Sequence, residues 1–558
     1  MGPGESSGTV STDGRRAMRN SFSVMELMKE PSESTTAPLG GTRAQWTALA
    51  VLALVTCALF AHNVERYFFL VDDAFISFRY ANNLATGHGL VWNPGEYVEG
   101  YTNFLWVVLL AAGMRLGVAP EGLSCALGIA SGVGVMLLLG RFSAARLGAL
   151  NPLVWLPLFT LALSRSFTAW STGGLATQFF TLLILAAQIQ FIRERQGDSQ
   201  RVWLSSLIFA IATLTRPEAG LFTLVAGLFF LGNVVRGRAS SRDLCIWVLP
   251  WVLLVGSHFL WRYGYYGEWL PNTFHAKVNG FWPEQAQHYF GAFQADYKLG
   301  YYLPLILLGL IRSRDIAHAF FATSILAYCA YLFSIGGGRF EFRFLVVVLP
   351  GLYWLIAEGL RDLIESTDTG RPGFLALGVA VAAALLVTTH LGSVSPAAKL
   401  ARHHIEPIGG TRDYTLERMR EGKILAGYIE AGLLPKDLLL CVGGAGALPY
   451  YTGWPTLDFR GLNDPHIARS QLTRRGAIAH EHFADENYLR ERGVAIFDSL
   501  NQLVHEGDVS HFANRAALRG DQHWKLRAVR LGKHSMVFST LVPEAEFRTL
   551  FQHVEVLF

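Results

Sequence analysis

Long apolar runs separated by short polar segments dominate the chain up to Thr389. Several are shorter than the ~20 residues that a perpendicular membrane helix needs, so polar neighbours must extend them or some of the helices are broken. The pattern predicts a polytopic α-helical membrane protein with about 11–13 transmembrane helices. The runs are Trp46–Ala61, Tyr101–Leu116, Leu123–Leu139, Leu150–Leu163, Leu175–Phe191, Val202–Leu214, Leu221–Val235, Ile246–Trp261, Leu303–Ile311, Ala319–Ile335, Phe344–Ile356 and Phe374–Thr389.

The sequence changes character on both sides of this membrane domain, which we place at residues 44–392. Residues 1–43 are rich in Ser, Thr, Gly and Pro and poor in aromatic residues, so they predict a disordered cytoplasmic tail. Residues 393–558 predict one soluble α/β domain outside the membrane, because helical and strand-like stretches alternate there. The stretches are a helix at Arg412–Leu433 and strands at Asp437–Val442, Ala495–Asp498 and Met536–Leu541.

Arginine clusters in every second loop orient the membrane domain. They are Arg193–Arg195 with Arg201, Arg236–Arg238 with Arg242, Arg312–Arg314, and Arg361 with Arg371. Basic loops favour the cytoplasm, so the intervening loops and the soluble domain are expected to be extracytoplasmic. This orientation requires an odd number of crossings before Arg165, whereas the apolar runs give four. One crossing between Tyr101 and Leu163 is therefore misassigned or re-entrant.

Composition supports a membrane protein and narrows its partners. The chain is 51% hydrophobic and only 16% charged, compared with about 25% charged in soluble domains. A net charge of +4 gives no indication of a nucleic-acid partner. The five cysteines match neither a metal site nor a disulfide framework and are expected to be buried hydrophobes. Gly443–Gly446 lacks the full spacing of a phosphate loop and predicts a tight strand-to-helix turn.

The segment Val71–Trp106 is a polar stretch between apolar runs, which is costly at a membrane boundary unless it has a function. It begins with Asp72 and Asp73, and a partly desolvated carboxylate there would be a good proton acceptor. Either aspartate could instead cap a helix at Ala74–Leu84. His88 and Glu99 flank a Gly-rich turn that can fold the loop back towards the aspartates, although Glu99 could equally be a solvated loop residue.

The other predicted extracytoplasmic loops each carry a polar cluster. Arginine can grip a phosphate with two hydrogen bonds, so these loops are candidate walls of an anion site. The alternative for the last cluster is anchoring of a helix end at the interface. The candidate binding residues are Arg216 and Glu218, then Asn272, His275 and Lys277, and finally Arg339, Glu341 and Arg343.

Acids and phosphate-gripping cations on one membrane face suit transfer of a sugar from a lipid phosphate. Cations would hold the phosphate leaving group while a carboxylate accepts the proton of the acceptor hydroxyl, and a single displacement would invert the anomeric centre. Aromatic residues near this face could stack on the sugar or form the interfacial aromatic belt. They are Trp92, Tyr97, Trp106, Trp170 and Tyr266.

Several segments of the chain resemble polytopic glycosyltransferases of the GT-C superfamily, most of all the terminal β-1,2-arabinofuranosyltransferase-like branch. The likeness covers nearly the whole chain after the tail, and its first-loop part is highly specific. The segments are Asp72–Tyr80, Gly87–Gly95, Val98–Trp106, Leu214–Glu218, Tyr265–Phe274, Gly336–Phe344, Gly446–Tyr451 and Gly461–Asp464 with His466.

The resemblance implies a bacterial plasma-membrane enzyme with an extracytoplasmic site that uses Asp72, or secondly Asp73, as base. It implies a polyprenyl-phosphate sugar donor, with arabinofuranose as one candidate sugar, and a cell-envelope glycan or lipid acceptor. The resemblance gives no certain cofactor and leaves a divalent cation as an open alternative. The sequence departs from the pattern of this family at two positions. Relatives often carry Glu at the position of Ala176 and Asp at the position of Gly338. The competing readings are a transporter of lipid-linked sugars and an inactive relative that acts as a binding or assembly subunit.

Overall fold

The computed structural model describes residues 42–199, 201–277, 280–313, 315–365, 400–472, 480–513 and 524–558, with residues 380, 384, 386 and 478. Leu49–Phe558 forms one compact unit, and Thr42–Ala48 leads into the first helix. The predicted tail before Thr42 lies outside the described residues. So does the last predicted apolar run, Phe374–Thr389, apart from the three isolated positions. The predicted boundary at residue 393 stays a prediction.

The apolar part of the chain is helical, as its sequence predicts. Its helices are α1 (Arg43–Arg66), α2 (Asp72–Ala85), α3 (Phe104–Arg115), α4 (Pro120–Leu147), α5 (Trp155–Leu163), α6 (Arg165–Ala169), α7 (Thr177–Gln196), α8 (Leu204–Thr215), α9 (Ala219–Val235), α10 (Ser241–Tyr266), α11 (Asn272–Lys277), α12 (Pro283–Tyr297), α13 (Leu303–Arg312), α14 (Ile316–Ser334) and α15 (Leu349–Glu365). Short 3-10 segments at Pro152–Val154, Leu299–Tyr302 and Arg343–Val348 lead into α5, α13 and α15.

Five helical stretches are long and apolar enough to cross a membrane: α1, α4, α10, α14 and Arg343–Glu365. Five shorter apolar stretches accompany them: α3, Pro152–Leu163, α8, α9 and Leu299–Arg312. The prediction of a polytopic helical membrane protein is thus confirmed. The count of about 11–13 spans stays a prediction, because it includes a run outside the described residues.

The C-terminal α/β region, described from residue 400 onwards, also matches its prediction. Its helices are α16 (Ile408–Glu430), α17 (Ala447–Thr452), α18 (Pro465–Ala468), α19 (Glu486–Glu491) and α20 (Glu544–Leu550). Its strands are β1 (Leu440–Val442), β2 (Thr456–Asp458), β3 (Ile496–Phe497), β4 (Val504–Glu506), β5 (Lys525–Leu531), β6 (His534–Thr540) and β7 (Glu555–Val556).

One mixed sheet organises this region. The strand order is β2-β1-β3-β6-β5-β7, and β4 also pairs with β6. The central strand β1 runs parallel to β2 and β3, while the pairs around β6 and β5 are antiparallel. β1 is buried along its length, as a central parallel strand should be. The chain then turns through Gly443–Gly446 into α17, which is the predicted strand-to-helix turn.

The first loop packs on the C-terminal region through a buried arginine. Arg79 of α2 donates hydrogen bonds to the carbonyls of Pro449 and Trp454, and its guanidinium lies 4.4 Å from the ring centroid of Trp92. Burial lowers the pKa of Arg79 to about 10, so the group stays charged at neutral pH. A buried charge needs such partners, and these contacts therefore fix α2 against the C-terminal region.

Helix α3 packs along α2, and we infer that it is the misassigned crossing in the sequence-based topology. It begins beside Asn103, next to the start of α2, and ends where Arg115 donates to the carbonyls of Leu84 and Ala85 at the end of α2. The next helix, α4, also starts on this side, because Glu121 accepts a hydrogen bond from Tyr451 of the C-terminal region. With α3 left out, three apolar stretches precede Arg165, namely α1, α4 and Pro152–Leu163, which agrees with the arginine pattern.

Candidate active site

The two adjacent acids at the start of α2 have different surroundings. Asp72 is buried, and its carboxylate accepts a 2.8 Å hydrogen bond from the N–H of Ala447. Burial raises the pKa of Asp72 to about 6, partly opposed by that N–H and by Arg418. A Cβ atom at Gly446 would collide with Asp72, so the turn after β1 needs glycine there. Asp72 therefore joins α2 to the C-terminal region.

Asp73 instead faces a cavity that also collects basic side chains. Arg216, Lys277 and Arg343 line the same cavity. A guanidinium nitrogen of Arg339 lies 3.8 Å from the Asp73 carboxylate. Burial alone would raise the pKa of Asp73, but Arg339, Lys277 and Arg343 outweigh it and hold the pKa below that of a free aspartate. Asp73 is therefore ionised at neutral pH.

Residues from four parts of the chain complete the walls of this cavity. Ser77 of α2 and Asn103 of the first loop hydrogen-bond each other along one side. Thr273 of α11 adds a buried hydroxyl that has no hydrogen-bond partner within the described ranges. Leu462 comes from the C-terminal region. The cavity is thus a composite of membrane-domain loops and the C-terminal region, open to a polar ligand.

Arg339 is held beside Asp73 by the C-terminal region. Its side chain pairs with Glu406 at 2.9 Å and donates to Nε2 of His480 at 2.6 Å. Its carbonyl accepts from the N–H of Glu406, while the carbonyl of Glu406 accepts from the N–H of Glu341. Burial and the charge of Arg339 lower the pKa of His480 to about 3, so the imidazole is neutral and can accept this bond.

Arg216 and Arg343 both lie against the ring of Phe344, with guanidinium-to-centroid distances of 4.9 Å and 4.7 Å. Arg216 is paired with Glu218 at 2.7 Å. The residue before Arg343, Phe342, has a left-handed backbone with φ of 48°. Such a conformation costs energy for a non-glycine residue and persists only where packing enforces it. The rings of Tyr289, Phe293 and Tyr297 surround Phe342.

Arg165 is an important residue that the sequence did not single out. It pairs with Asp296 at 2.9 Å and with Glu341 at 2.5 Å. The second oxygen of Glu341 accepts from the N–H of Ile408. This buried network connects α6, α12 and the segment that carries Arg343. Glu341 is therefore a positioning residue and does not line the cavity. Arg165 directly follows an apolar run, and that isolated charge was the available signal.

Several sequence candidates lie outside the cavity. Glu99 is buried in an ion pair with Arg262 at 2.8 Å, and burial raises its pKa to about 7. Asn272 donates to the carbonyls of Gly461 and Leu462, so it holds the Leu462 wall in place. His88 is exposed and contacts Thr86. His275 packs against Phe274, beside the cavity-lining part of α11.

The five aromatic candidates serve as packing groups instead of cavity walls. Trp92, Trp106, Trp170 and Tyr266 are buried, and each donates a hydrogen bond to a backbone carbonyl. Tyr97 is exposed and packs on Tyr265. Neither sugar stacking nor a membrane-interface belt describes the four buried rings, because full burial removes them from both. The aromatic residue that lines the cavity is Tyr101.

The structure also shows the surroundings of Ala176 and Gly338, the two positions at which the sequence differs from the family's pattern. Ala176 lines the cavity, so this position adds no charge there. A Cβ at Gly338 would lie 2.6 Å from the ring of Phe344, which leaves no room for a larger side chain without rearrangement. Within the described ranges, no group of three or more His, Cys, Asp or Glu residues could hold a metal ion. One carboxylate among basic groups offers a poor oxygen donor set for a divalent cation.

Known proteins share this fold. The structure superposes on the crystal structure of ArnT from Cupriavidus metallidurans bound to undecaprenyl phosphate with a TM-score of 0.55 and 14% identity, covering 90% of this chain and 99% of that one. Its apo form gives a TM-score of 0.53 at 14% identity, covering 89% and 98%. The chain has the GT-C fold. The fold part of the sequence resemblance is therefore confirmed.

Sequence relatives agree with the branch suggested by the first loop. A terminal β-(1→2)-arabinofuranosyltransferase from Mycobacterium tuberculosis is 30% identical over 336 residues, which are 56% of this chain and 52% of that protein. The enzyme of the same name from Corynebacterium glutamicum is 26% identical over 346 residues, 54% and 49% of the two chains. The chain thus spans about half the length of these curated relatives. Residues 414–542 match a domain of unknown function, DUF8728.

Proposed function

We propose that this chain is a membrane glycosyltransferase that moves a sugar from a polyprenyl-phosphate donor to a glycan or lipid acceptor. The observation that carries the proposal is the cavity in which Asp73 is the carboxylate among Arg216, Lys277 and Arg343, with Arg339 next to it. These groups leave an excess of positive charge after Asp73, Glu218 and Glu406, the partner of Arg339, are counted. A phosphate of the donor would neutralise that excess.

Each group then has a role in a single displacement. The acceptor hydroxyl oxygen attacks the anomeric carbon, its proton passes to the carboxylate of Asp73, and the bond from that carbon to the phosphate oxygen breaks. The electron pair leaves with the phosphate, whose growing charge is stabilised by Lys277, Arg343 and Arg339. Attack opposite the leaving group inverts the anomeric centre. No step needs a metal ion or a cofactor.

The geometry favours Asp73 over Asp72 as the base, which reverses the order expected from sequence. Asp72 is withdrawn from the cavity and is already hydrogen-bonded to the N–H of Ala447. Asp73 lines the cavity and is ionised, so it can accept a proton without first losing one. Asp72 serves as a positioning residue, because its bond to α17 fixes the start of α2.

The proposed classes of donor and acceptor are based on the proteins that this chain resembles. ArnT binds undecaprenyl phosphate in its crystal structure, and the named sequence relatives are arabinofuranosyltransferases. We therefore propose a polyprenyl-phosphate sugar, with arabinofuranose as the first sugar to test. We also propose that the cavity lies on the extracytoplasmic face of the bacterial plasma membrane, which the arginine-rich loops at the other ends of the helices support.

The decisive experiment is sugar transfer by membranes that contain the full chain, supplied with radiolabelled polyprenyl-phosphate arabinofuranose and an acceptor glycan. Transfer with a new glycosidic bond is expected, together with a ~100-fold or greater loss in Asp73→Asn. Asp72→Asn can still accept the Ala447 hydrogen bond and should keep most activity. Movement of intact lipid-linked sugar without a new bond would support a transporter. An inactive binding subunit would show donor binding but no product with any donor sugar.

A further inference from the structure

A second cavity, of about 910 Å³, lies at the opposite ends of the helices that reach the Asp73 cavity. Ala176, which lines the first cavity, immediately precedes α7, and α7 ends at Gln196 in the second cavity. Arg216 of the first cavity lies just before α9, and Arg236 of the second cavity directly follows it. The 20 residues of α7 make it ~30 Å long, which is the thickness of the hydrocarbon core of a bilayer. The two cavities therefore lie at opposite faces of the membrane.

Three arginines line this second cavity: Arg195, Arg236 and Arg238. Arg195 lies 3.6 Å from the ring centroid of Phe230, and its Nε is buried without a hydrogen-bond partner in the described part of the chain. Across the same described ranges, none of the three guanidinium groups forms an ion pair with a carboxylate. The charges are therefore free for a ligand.

Two of the three acids at this cavity are occupied by other partners. Glu194 accepts hydrogen bonds from the N–H and hydroxyl of Ser205 and from Gln190. Asp315 pairs with Arg146, accepts from Gln196 and caps α14 through the N–H of Ala317. Asp243 is the third acid. Because Arg146 neutralises Asp315, the three arginines face two carboxylates, those of Glu194 and Asp243. The cavity carries a net positive charge.

The other wall of the cavity is apolar, with Leu228, Phe229, Ile316 and Ala319 beside the arginines. Arginines next to an apolar wall at a membrane face suit a phosphate that is attached to acyl chains. Basic pockets between transmembrane helices on the cytoplasmic side bind such headgroups. The positive-inside rule places these arginine loops in the cytoplasm.

We propose that this cavity binds the phosphate headgroup of an anionic phospholipid from the cytoplasmic leaflet. Arg236 and Arg238 hold the phosphate oxygens at the mouth, Arg195 contacts the headgroup from within, and the acyl chains lie along Leu228 and Ile316. The site is separate from sugar transfer and does not depend on it. It would link the stability of the protein to the lipid composition of its membrane.

The test measures thermal unfolding of the purified full chain in a neutral detergent during titration with dioctanoyl phosphatidylglycerol, dioctanoyl phosphatidylcholine or inorganic phosphate. We expect a saturable rise in Tm with phosphatidylglycerol and none with phosphatidylcholine. The double variant Arg236→Gln, Arg238→Gln should need ~10-fold more phosphatidylglycerol for the same shift. Arg242→Gln is the matched control, since this exposed arginine lies near the cavity without lining it.

The comparison uses the shift in Tm, so a lower starting Tm of the double variant does not obscure it. The amount of phosphatidylglycerol that co-purifies with each variant, measured by mass spectrometry, gives an independent readout. Equal shifts with both lipids, or an undiminished shift in the double variant, would overturn the proposal. A shift of the same size with inorganic phosphate would identify a free-anion site and would also overturn the lipid assignment.

Discussion

Asp72 and Asp73 show how much two adjacent carboxylates can differ. Adjacent helical residues point about 100° apart, so one reaches the N–H of Ala447 and the other reaches the cavity. The pKa of Asp72 is raised to about 6 by burial, whereas basic neighbours lower that of Asp73. Because the pKa values of the two carboxyl groups shift in opposite directions, the pH dependence of sugar transfer can identify which of them is the base.

The pH dependence of kcat/KM for sugar transfer should separate the two acids. With Asp73 as base, the acid limb should lie below the ordinary aspartate pKa of 3.8, and with Asp72 it should lie near 6. Arg339→Gln removes a positive charge beside Asp73, so it should raise the pKa of Asp73 and move the acid limb to higher pH. Arg469→Gln removes an exposed arginine paired with Glu268 and should leave the limb unchanged. An acid limb near pH 6 would assign the base to Asp72.

Lys277 should affect the donor more than the acceptor. Lys277→Met removes one cation from the proposed phosphate site, and we expect the KM for the polyprenyl-phosphate donor to rise ~10-fold with little change for the acceptor. His275→Ala is the matched control on the same helix, because His275 does not line the cavity. An unchanged donor KM in the Lys277 variant would remove Lys277 from the phosphate site.

Residue types could be predicted from sequence better than their roles. Arg216, Lys277, Arg339 and Arg343 were expected on one membrane face, and the structure brings them around Asp73. Glu99 was expected near the aspartates but pairs with Arg262. The sequence of the first loop does not reveal the ion-pair partner of Glu99. Arg262 lies 163 residues further along the chain, and the packing of the folded protein brings it to Glu99. The left-handed backbone of Phe342 also has no signature in the sequence.

At the scale of elements, the site depends on the turn between β1 and α17. Gly446 lies against Asp72, and a Cβ there would overlap both the backbone and the carboxylate of Asp72. A strand-to-helix turn was predictable from Gly443–Gly446. Its contact with the first loop was not, because the tie crosses 375 residues of chain.

Substitution of glycines in this turn should test whether its contact with Asp72 matters for stability and activity. Gly446→Ala should destabilise the protein by about 1–3 kcal/mol through overpacking and should lower transfer activity, because the start of α2 must shift. Gly443→Ala is the control, since its added Cβ would meet only the side chain of Asn501, at 3.6 Å. Thermal unfolding and the transfer assay measure the two effects. Similar stability and activity in both variants would show that the Gly446 contact is unimportant.

At the scale of the whole molecule, the number of membrane crossings expected from the sequence depends on α3. Its apolar run is indistinguishable in hydropathy from a membrane span, so the sequence predicts a crossing. In the structure the 12 residues of α3 end against the last turn of α2, and we predict that they do not cross the membrane. The arginine pattern reveals an inconsistency in the number of crossings. The contacts of Arg115 and Glu121 make α3 the run that we expect to be responsible.

Membrane-impermeant maleimide labelling can test this topology in a variant without the exposed cysteines Cys57 and Cys245. Val118→Cys follows α3, and His88→Cys reports the side of the first loop. We expect these two variants to label from the same side and Asp198→Cys, which follows α7, to label from the other. Labelling of Val118→Cys together with Asp198→Cys would mean that α3 crosses the membrane.

The long-range tie between α2 and α17 also has a consequence for biosynthesis. Asp72 and Asp73 are made early during translation. Ala447, which holds Asp72, and Glu406 and His480, which hold Arg339 beside Asp73, are made hundreds of residues later. The cavity cannot take its final form until the C-terminal region has emerged and folded. A ribosome-bound intermediate that already has its membrane helices would therefore be catalytically silent. Activity would begin only when synthesis and membrane insertion are nearly complete.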